Sequence, residues 1–304
     1  MTKKLRIGTR DSQLALWQST LVQDLLAQKG ISSELVHIKS EGDINLITPL
    51  YEMGVQGIFT KTLDIALLNN TIDIAVHSMK DVPVVLARGI QQAAVLERAS
   101  YIDLLVFKHD LNFLEAGFKA VVASSSIRRI AQWLHRYPEH TIVSLRGNVN
   151  TRLRKLGENE WNGAIFAAAG LERIGLRPEK SIDLDWMLPA PAQGAIMVVC
   201  RDDDSESFDS VTHLDHPATA LCTMVERSFL KTLQGGCSSP VSALAKVNNE
   251  IVHFRGNIAS HDGVEIEEIN RSVPLDQVQG LGQEAATSLL QSDKVWIKKV
   301  LKRS

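Results

Sequence analysis

From Leu5 to about residue 200, short apolar or β-branched runs alternate with segments of helical period. This alternation constrains the chain more than any other feature, because it is the pattern of parallel strands joined through helices. Leu5 to Gly8 reads as a strand. Leu14, Trp17, Leu21 and Leu25 then recur at helical spacing until Gly30 stops the helix, and Glu34 to Ile38 is strand-like. A helix is expected over Thr60 to Leu68 and a strand over Ile72 to His77. A second round begins near residue 100, with strands at Lys119 to Ala123, Thr141 to Leu145 and Ala164 to Ala168, and helices at Ile127 to Tyr137 and Val149 to Leu156. Single cores stop growing near about 250 to 300 residues, so a chain of 304 needs two or three domains.

Beyond residue 195 the pattern changes. Ala195 to Cys200 is another apolar strand, and the acidic, serine-rich Asp202 to Ser210 reads as a surface linker. A helix from about Ala218 to Leu233 follows. Val241 to Val247, Ile251 to Ala259 and Val264 to Val273 then alternate apolar and polar residues around Asn248-Asn249 and Asp262-Gly263 turns, which is a meander, with one further helix near Leu275 to Leu290.

Charge excludes several partners. Lysine plus arginine is 33 against 35 acidic residues, so the summed field offers no long-range attraction to nucleic acid or to an anionic membrane. Aromatic residues are 5% of the chain, too few for base-stacking platforms. No apolar run approaches the roughly 18 to 20 residues of a spanning helix, and Met1 to Gly8 lacks the apolar core of a signal peptide. Three cysteines, Cys200, Cys222 and Cys237, are an odd number without metal-ligand spacing, which fits a reducing compartment, and the cytoplasm is the expected location.

Any anion must therefore be bound locally, and three segments are built for it. The first strand enters its helix through Gly8-Thr9-Arg10-Asp11-Ser12, and the same device recurs at Ser124-Ser125-Ser126-Ile127-Arg128-Arg129 and at Arg146-Gly147-Asn148-Val149-Asn150-Thr151-Arg152. Helix N-termini carry unpaired N–H groups and partial positive charge. The carboxyl ends of strands in α/β sheets are where ligands bind, and arginine adds forked recognition of carboxylate or phosphate. A small ligand with several anionic groups is implied.

His77-Ser78-Met79-Lys80-Asp81-Val82-Pro83 occupies the same kind of position after its strand. Pro83 biases Val82 to an extended conformation, so a loop exposing Lys80 and Asp81 is expected. A carboxylate beside an anion site repels the ligand, and its presence points to a cation formed during reaction. Finally, Leu233-Gln234-Gly235-Gly236-Cys237-Ser238-Ser239-Pro240 holds a thiol past the negative end of a helix with no basic neighbour to activate it. Such a thiol suits a single covalent attachment better than repeated nucleophilic turnover.

Together TRDSQLAL (Thr9 to Leu16), HSMKDVP (His77 to Pro83), SSSIRR (Ser124 to Arg129), SLRGNVNTRL (Ser144 to Leu153), LPAPAQGA (Leu188 to Ala195) and ERSFLKTLQGGCSSP (Glu226 to Pro240) resemble the porphobilinogen deaminase (hydroxymethylbilane synthase) family over nearly the whole chain. The resemblance implies a transferase that joins four porphobilinogen molecules head to tail, with release of ammonia, into hydroxymethylbilane. It implies a covalent dipyrromethane cofactor on Cys237 and makes Asp81 the catalytic carboxylate. Arg10, Arg128, Arg129, Arg146, Arg152 and Arg173 match positions that bind acetate and propionate arms, and Ser12, Lys80, Ser126 and Gln193 match further polar contacts. As ligand groups rather than core, Arg128 and Arg129 are expected to matter little for stability. The implied fold is two periplasmic-binding-protein-like (type II) α/β domains joined by a hinge, plus a smaller α+β domain with an antiparallel sheet. On this sequence the division is 1–97, completed by a returning segment at about 195–214, then 98–194 and 215–304, in a monomer.

The sequence departs from the family pattern at Glu41, Glu52 and Gln56, where less acidic or basic residues are usual, at Ala192, which replaces a common glycine, and at Ser238-Ser239. A rival reading from another class is a solute-binding protein, which two α/β domains with helix-terminus anion sites would also serve. A phosphate-binding transferase would need a Walker loop or Gly-x-Gly-x-x-Gly, and neither is present.

Overall fold

A computed structural model of the chain describes residues 4–39, 60–236 and 239–301. Cys237 and Ser238, and Glu41, Glu52 and Gln56 with the whole Asp43 to Phe59 stretch, lie outside the described residues. The described residues form two compact units, one from 4–39, 60–99 and 194–221, the other from 100–193 and from 222 onward.

The first unit is built on β1 (Leu5–Thr9), α1 (Gln13–Gln28), β2 (Ser33–His37), α2 (Lys61–Leu68), β3 (Ile74–Ser78), β4 (Ile90–Val95) and a late strand, residues 196–201. α1 starts because Ser12 is extended and its hydroxyl accepts from Ala15 N–H; it stops where Gly30 turns left-handed at φ 76° and the Ile31 N–H reaches back to Leu26 C=O. Val22 and Leu26 bury that helix against Ile7 and Ile74.

The second unit contains β5 (Asp103–Phe107), β6 (Val121–Ala123), α3 (Ile127–Arg136), β7 (Thr141–Val143), α4 (Val149–Glu158), β8 (Gly163–Ala167), α5 (Ala168–Glu172) and β9 (Ser181–Asp183). After these come β10, the Ile196–Arg201 strand of the first unit, α6 (Ser205–Thr212) and α7 (Pro217–Thr232). The second unit resumes with β11 (Val241–Asn248), β12 (Ile251–Ala259), β13 (Ile266–Pro274), α8 (Leu281–Leu290) and α9 (Val295–Leu301).

The two five-stranded sheets share one topology, ordered β2-β1-β3-β10-β4 and β7-β6-β8-β5-β9. In each, three parallel strands are followed by one antiparallel strand and an edge strand. This is the mixed α/β arrangement expected of two type II domains. Because β1, β2 and β3 are parallel, and β6, β7 and β8 likewise, their carboxyl ends gather at one edge of each sheet. Central β3, β8 and β10 are buried on both faces, which is why they read as continuous apolar runs.

The antiparallel β11-β12-β13 sheet is the expected meander, and β12 has the bounds read from the sequence. Its first hairpin turns through Asn249 and Glu250, both left-handed at φ 48° and 63°. Phe229 of α7 packs edge-on against Phe254 at 5.2 Å, and a Cβ on Gly256 would lie 2.7 Å from the Phe229 ring.

Three expectations are corrected. Asp202 to Ser210 is not a linker: Asp204 caps α6, accepting from the Ser207 N–H and hydroxyl, and Val211 and Phe208 pack into the first unit's core. The acidic, serine-rich composition is that of a helix start. The helix near Leu275 to Leu290 is broken by Gly280, at φ 82°, into a short 3-10 turn and α8. Residues Met79–Asp81 form a 3-10 turn rather than a loop, with Lys80 and Asp81 both half-buried. Among the described residues no helix is long and apolar enough to cross a membrane.

Candidate functional site

In the first unit the exits of β1 and β3 meet in one cleft lined by Arg10, Ser12, His77, Ser78 and Asp81. The pieces are held separately. Ser12 caps α1, and the Ser78 hydroxyl accepts from Gln18 Nε2 at 2.9 Å. The Met79 N–H donates to the Ala195 carbonyl, and the Val82 N–H to that of Met79. Val82 is extended at φ −85°, ψ 128°, as a residue before proline should be. A cationic fork and a carboxylate thus share a cleft, the combination needed to hold an anionic molecule while a positive centre forms on it. His77 is buried beneath them. Its Nε2 has no hydrogen-bond partner among the described residues, and burial first, then Arg10, pushes its pKa down to about 4. The imidazole is therefore neutral near pH 7.

In the second unit, arginines follow the carboxyl ends of β6, β7 and β8. Arg128 and Arg129 occupy the first turn of α3, behind Ser126, whose extended backbone caps the helix while its hydroxyl makes no capping bond. Both guanidiniums are only 5% exposed, and they converge on Asp103 at the start of β5, which is fully buried. Arg129 donates to Asp103 Oδ1 from Nη2 at 2.7 Å and from Nε at 3.0 Å, and to the Ile165 carbonyl from Nη1 at 3.1 Å. Arg128 places Nη2 2.8 Å from Asp103 Oδ2 and donates from Nη1 to the Leu188 carbonyl at 2.8 Å. Gln193 Nε2 adds bonds of 2.9 Å to Asp103 Oδ1 and 2.7 Å to the Tyr101 carbonyl. The expectation that these arginines lie outside the core is therefore not met, because an internal carboxylate draws them in. Burial lowers the Arg128 pKa, with Asp103 opposing.

Arg146 is 6% exposed, its pKa lowered by burial. Its loop is fixed by Ser125, whose hydroxyl accepts from the Leu145 N–H at 2.8 Å and lies 2.9 Å from that of Ser144. Gly147, at φ 113°, leaves no room for a side chain, since a Cβ there would sit 2.6 Å from Thr151. Its carbonyl accepts from Arg152 Nε at 2.7 Å. Arg173 follows α5, and burial pushes its pKa down to about 10 against the opposing charge of Glu172. Nε of Arg128 and of Arg146 are both buried without a hydrogen-bond partner among the described residues. Desolvated cations with unspent donors are costly unless an anion joins them, so the residues present fit a group carrying several carboxylates.

The segment bearing Cys237 continues α7. Gln234 turns left-handed at φ 54°, the Gly235 N–H closes on the Leu230 carbonyl, and a Cβ on Gly235 would lie 2.6 Å from Leu230 Cδ1. On either side of Cys237, the Gly236 N–H donates to Ser239 Oγ at 2.8 Å and the Ser239 N–H to the Gly236 carbonyl at 3.0 Å.

Two buried acids of the second unit have no motif of their own in the sequence. Asp103 interrupts the apolar run Tyr101 to Phe107, and a carboxylate at the start of a buried strand demands a cation. Glu226 of α7 shares a face with Cys222, Val225 and Phe229, all buried, which marks an acid on a core stripe.

Residues 5–209 match the family model described as porphobilinogen deaminase, dipyromethane cofactor binding domain, and residues 220–291 match the porphobilinogen deaminase C-terminal domain. A porphobilinogen deaminase of Syntrophotalea carbinolica is 41% identical over 290 residues, covering 94% of this chain and 92% of that one. A probable porphobilinogen deaminase of Methanocaldococcus jannaschii is 41% identical over 292 residues, covering 91% and 98%. The porphobilinogen deaminase of Campylobacter hominis is 38% identical over 292 residues, covering 94% of each. Among solved structures, a probable amino-acid ABC transporter extracellular-binding protein of Bacillus subtilis aligns at a TM-score of 0.43 and 11% identity, covering 76% of this chain and 97% of that one.

Proposed function

The chain belongs to the porphobilinogen deaminase family, and from that membership we infer that it is a hydroxymethylbilane synthase of tetrapyrrole and haem biosynthesis. It condenses four porphobilinogen molecules head to tail and releases one ammonia per addition. The observation that carries this reading in the structure is the shared cleft of Arg10 and Asp81, where anion binding and a carboxylate for a developing cation occur together.

The dipyrromethane cofactor, joined by thioether to Cys237, supplies the pyrrole carbon to which the first substrate unit couples. Each pyrrole carries two carboxylates, and Arg10, Arg128, Arg129, Arg146, Arg152 and Arg173 bind these arms, with Ser12, Lys80, Ser126 and Gln193 adding polar contacts. Loop residues ahead of α1, α3 and α4 can add backbone N–H groups. Asp81 gives a proton to the departing amine, and its carboxylate then faces the methylene-pyrrole cation left on the substrate. It recovers a proton when the coupled ring loses one, so the same group is ready for the next addition. The half-buried setting of Asp81 strengthens its attraction for that cation.

The chain divides functionally into 1–97 with about 195–214, 98–194, and a cofactor-carrying 215–304. It works as a monomer in the cytoplasm, a location favoured by Cys200 and Cys222 being buried and outside any disulfide. Intact mass with digestion mapping tests the reading. An excess of two coupled pyrrole units on the peptide containing Cys237 is expected, whereas a bare chain after expression in a porphobilinogen-producing host would favour a solute-binding protein.

A further inference from the structure

The arginine pair at the start of α3 shares an internal counter-charge. Two arginines that are 5% exposed meet one carboxylate that is fully buried, each with a terminal nitrogen within 2.8 Å of it. Two positive charges against one negative leave an excess of one. The donors are likewise incompletely spent. Arg129 engages Asp103 through Nε and Nη2 and the Ile165 carbonyl through Nη1. Arg128 engages Leu188 and Asp103 through its two terminal nitrogens and keeps a buried Nε without a partner among the described residues. Gln193, from a segment 90 residues away, is tied to the same carboxylate.

We propose that Asp103 is a positioning residue for the reaction: it fixes Arg128, Arg129 and Gln193 on one buried carboxylate and sets the pair's excess at a single positive charge, matched to one carboxylate arm of the ligand. The proposal rests on the reading that Arg128 and Arg129 bind such arms. Without Asp103 the two cations repel each other in a desolvated site, and the pair draws an outside anion in its place. With Asp103 the pair is held in one geometry before any ligand arrives, so binding need not order it. The exchangeable quantity is charge, which separates this role from ordinary core packing.

The test uses the full-length Cys237→Ser chain, which carries no covalent group, with and without Asp103→Asn. Asparagine keeps the shape and one acceptor while removing the charge. The melting temperature should fall on substitution and be regained as sodium acetate is raised, with a larger shift per decade of acetate than in the parent. Sodium chloride at equal ionic strength should not reproduce it. A loss that acetate and chloride leave equally uncorrected would overturn the proposal and make Asp103 a packing residue only. Should Asp103→Asn alone fail to fold, the double variant Asp103→Asn, Arg128→Gln restores one charge of excess and is expected to fold without the acetate response; failure to recover would also count against the idea. The underlying assignment is tested apart from it. If Arg128→Gln with Asp103 and Cys237 intact carries full cofactor and turns over as the parent does, the arm-binding reading fails whatever Asp103 does.

Discussion

The Ala192 N–H donates to Glu226 Oε2 at 2.6 Å, and the other oxygen of that buried carboxylate accepts from the Ala245 N–H at 2.8 Å. Through this acid, α7, which leads to Cys237, is fastened both to β11 and to the segment preceding Gln193. The tie also holds Ala192 left-handed at φ 61°, a conformation alanine adopts at a cost of about 1 to 2 kcal/mol. Glu226→Gln replaces one acceptor oxygen by an amide NH2 that faces an N–H, so one buried donor loses its partner. A destabilisation of about 2 kcal/mol is expected in urea unfolding, and an unchanged midpoint would show the bonds to be dispensable.

Arg129→Ala should destabilise the folded chain by about 3 kcal/mol, at the low end for breaking a buried ion pair because Arg128 still compensates Asp103. The check is the urea midpoint of the cofactor-free protein. Wild-type stability would mean that the buried pair contributes nothing net.

His77 gives a pH dependence whose sign follows from its lowered pKa. The folded imidazole stays neutral down to about pH 4, whereas the unfolded one takes a proton below about 6.5. The unfolded state binds more protons in that window, so stability is complete above about pH 6.5 and is lost as pH falls towards 4, by on the order of 3 kcal/mol. His77→Gln should flatten this part of the stability–pH curve. An equally steep curve in the variant would assign the dependence to other groups.

Cys237→Ser should fold and carry no adduct, because a serine ether would be harder to form than a thioether. Cys200 and Cys222 offer no substitute: both are buried, and burial pushes the Cys200 thiol up to about 11. Alkylation of the native, cofactor-free wild type should mark Cys237 alone. Pyrrole mass found on Cys200 or Cys222 would move the attachment point.

Local pattern carried much of the fold. The Leu14 to Leu25 period located α1, and the alternation from Ile251 to Ala259 gave β12 without error. What stayed hidden was non-local. Nothing near Ile196 says that β10 inserts antiparallel between β3 and β4, since its partners lie about a hundred residues earlier. β4 carries Gln91-Gln92 in its middle and so lacks a strand signal, although the sheet buries its apolar end. At the site, Arg10, Arg128, Arg129, Arg146 and Arg152 stand in motifs beside strand exits, whereas Arg173 comes only from the family resemblance. Asp103 and Glu226 stand in no such motif, because each is defined by partners from other segments, Arg129 and Gln193 for one and Ala192 and Ala245 for the other.

The central claim is that Asp81 serves every addition, since the same amine leaves and the same cationic carbon forms each time. Single-turnover elongation of cofactor-loaded chain, followed by intact mass after porphobilinogen is added, tests it most directly. Asp81→Asn keeps the size and removes both the proton and the charge, and should slow each of the four additions by about a hundred to ten thousand fold, while Asp81→Glu should retain partial activity and accumulate intermediates. If Asp81→Asn adds all four units at the wild-type rate, Asp81 is only a turn residue and the account is contradicted.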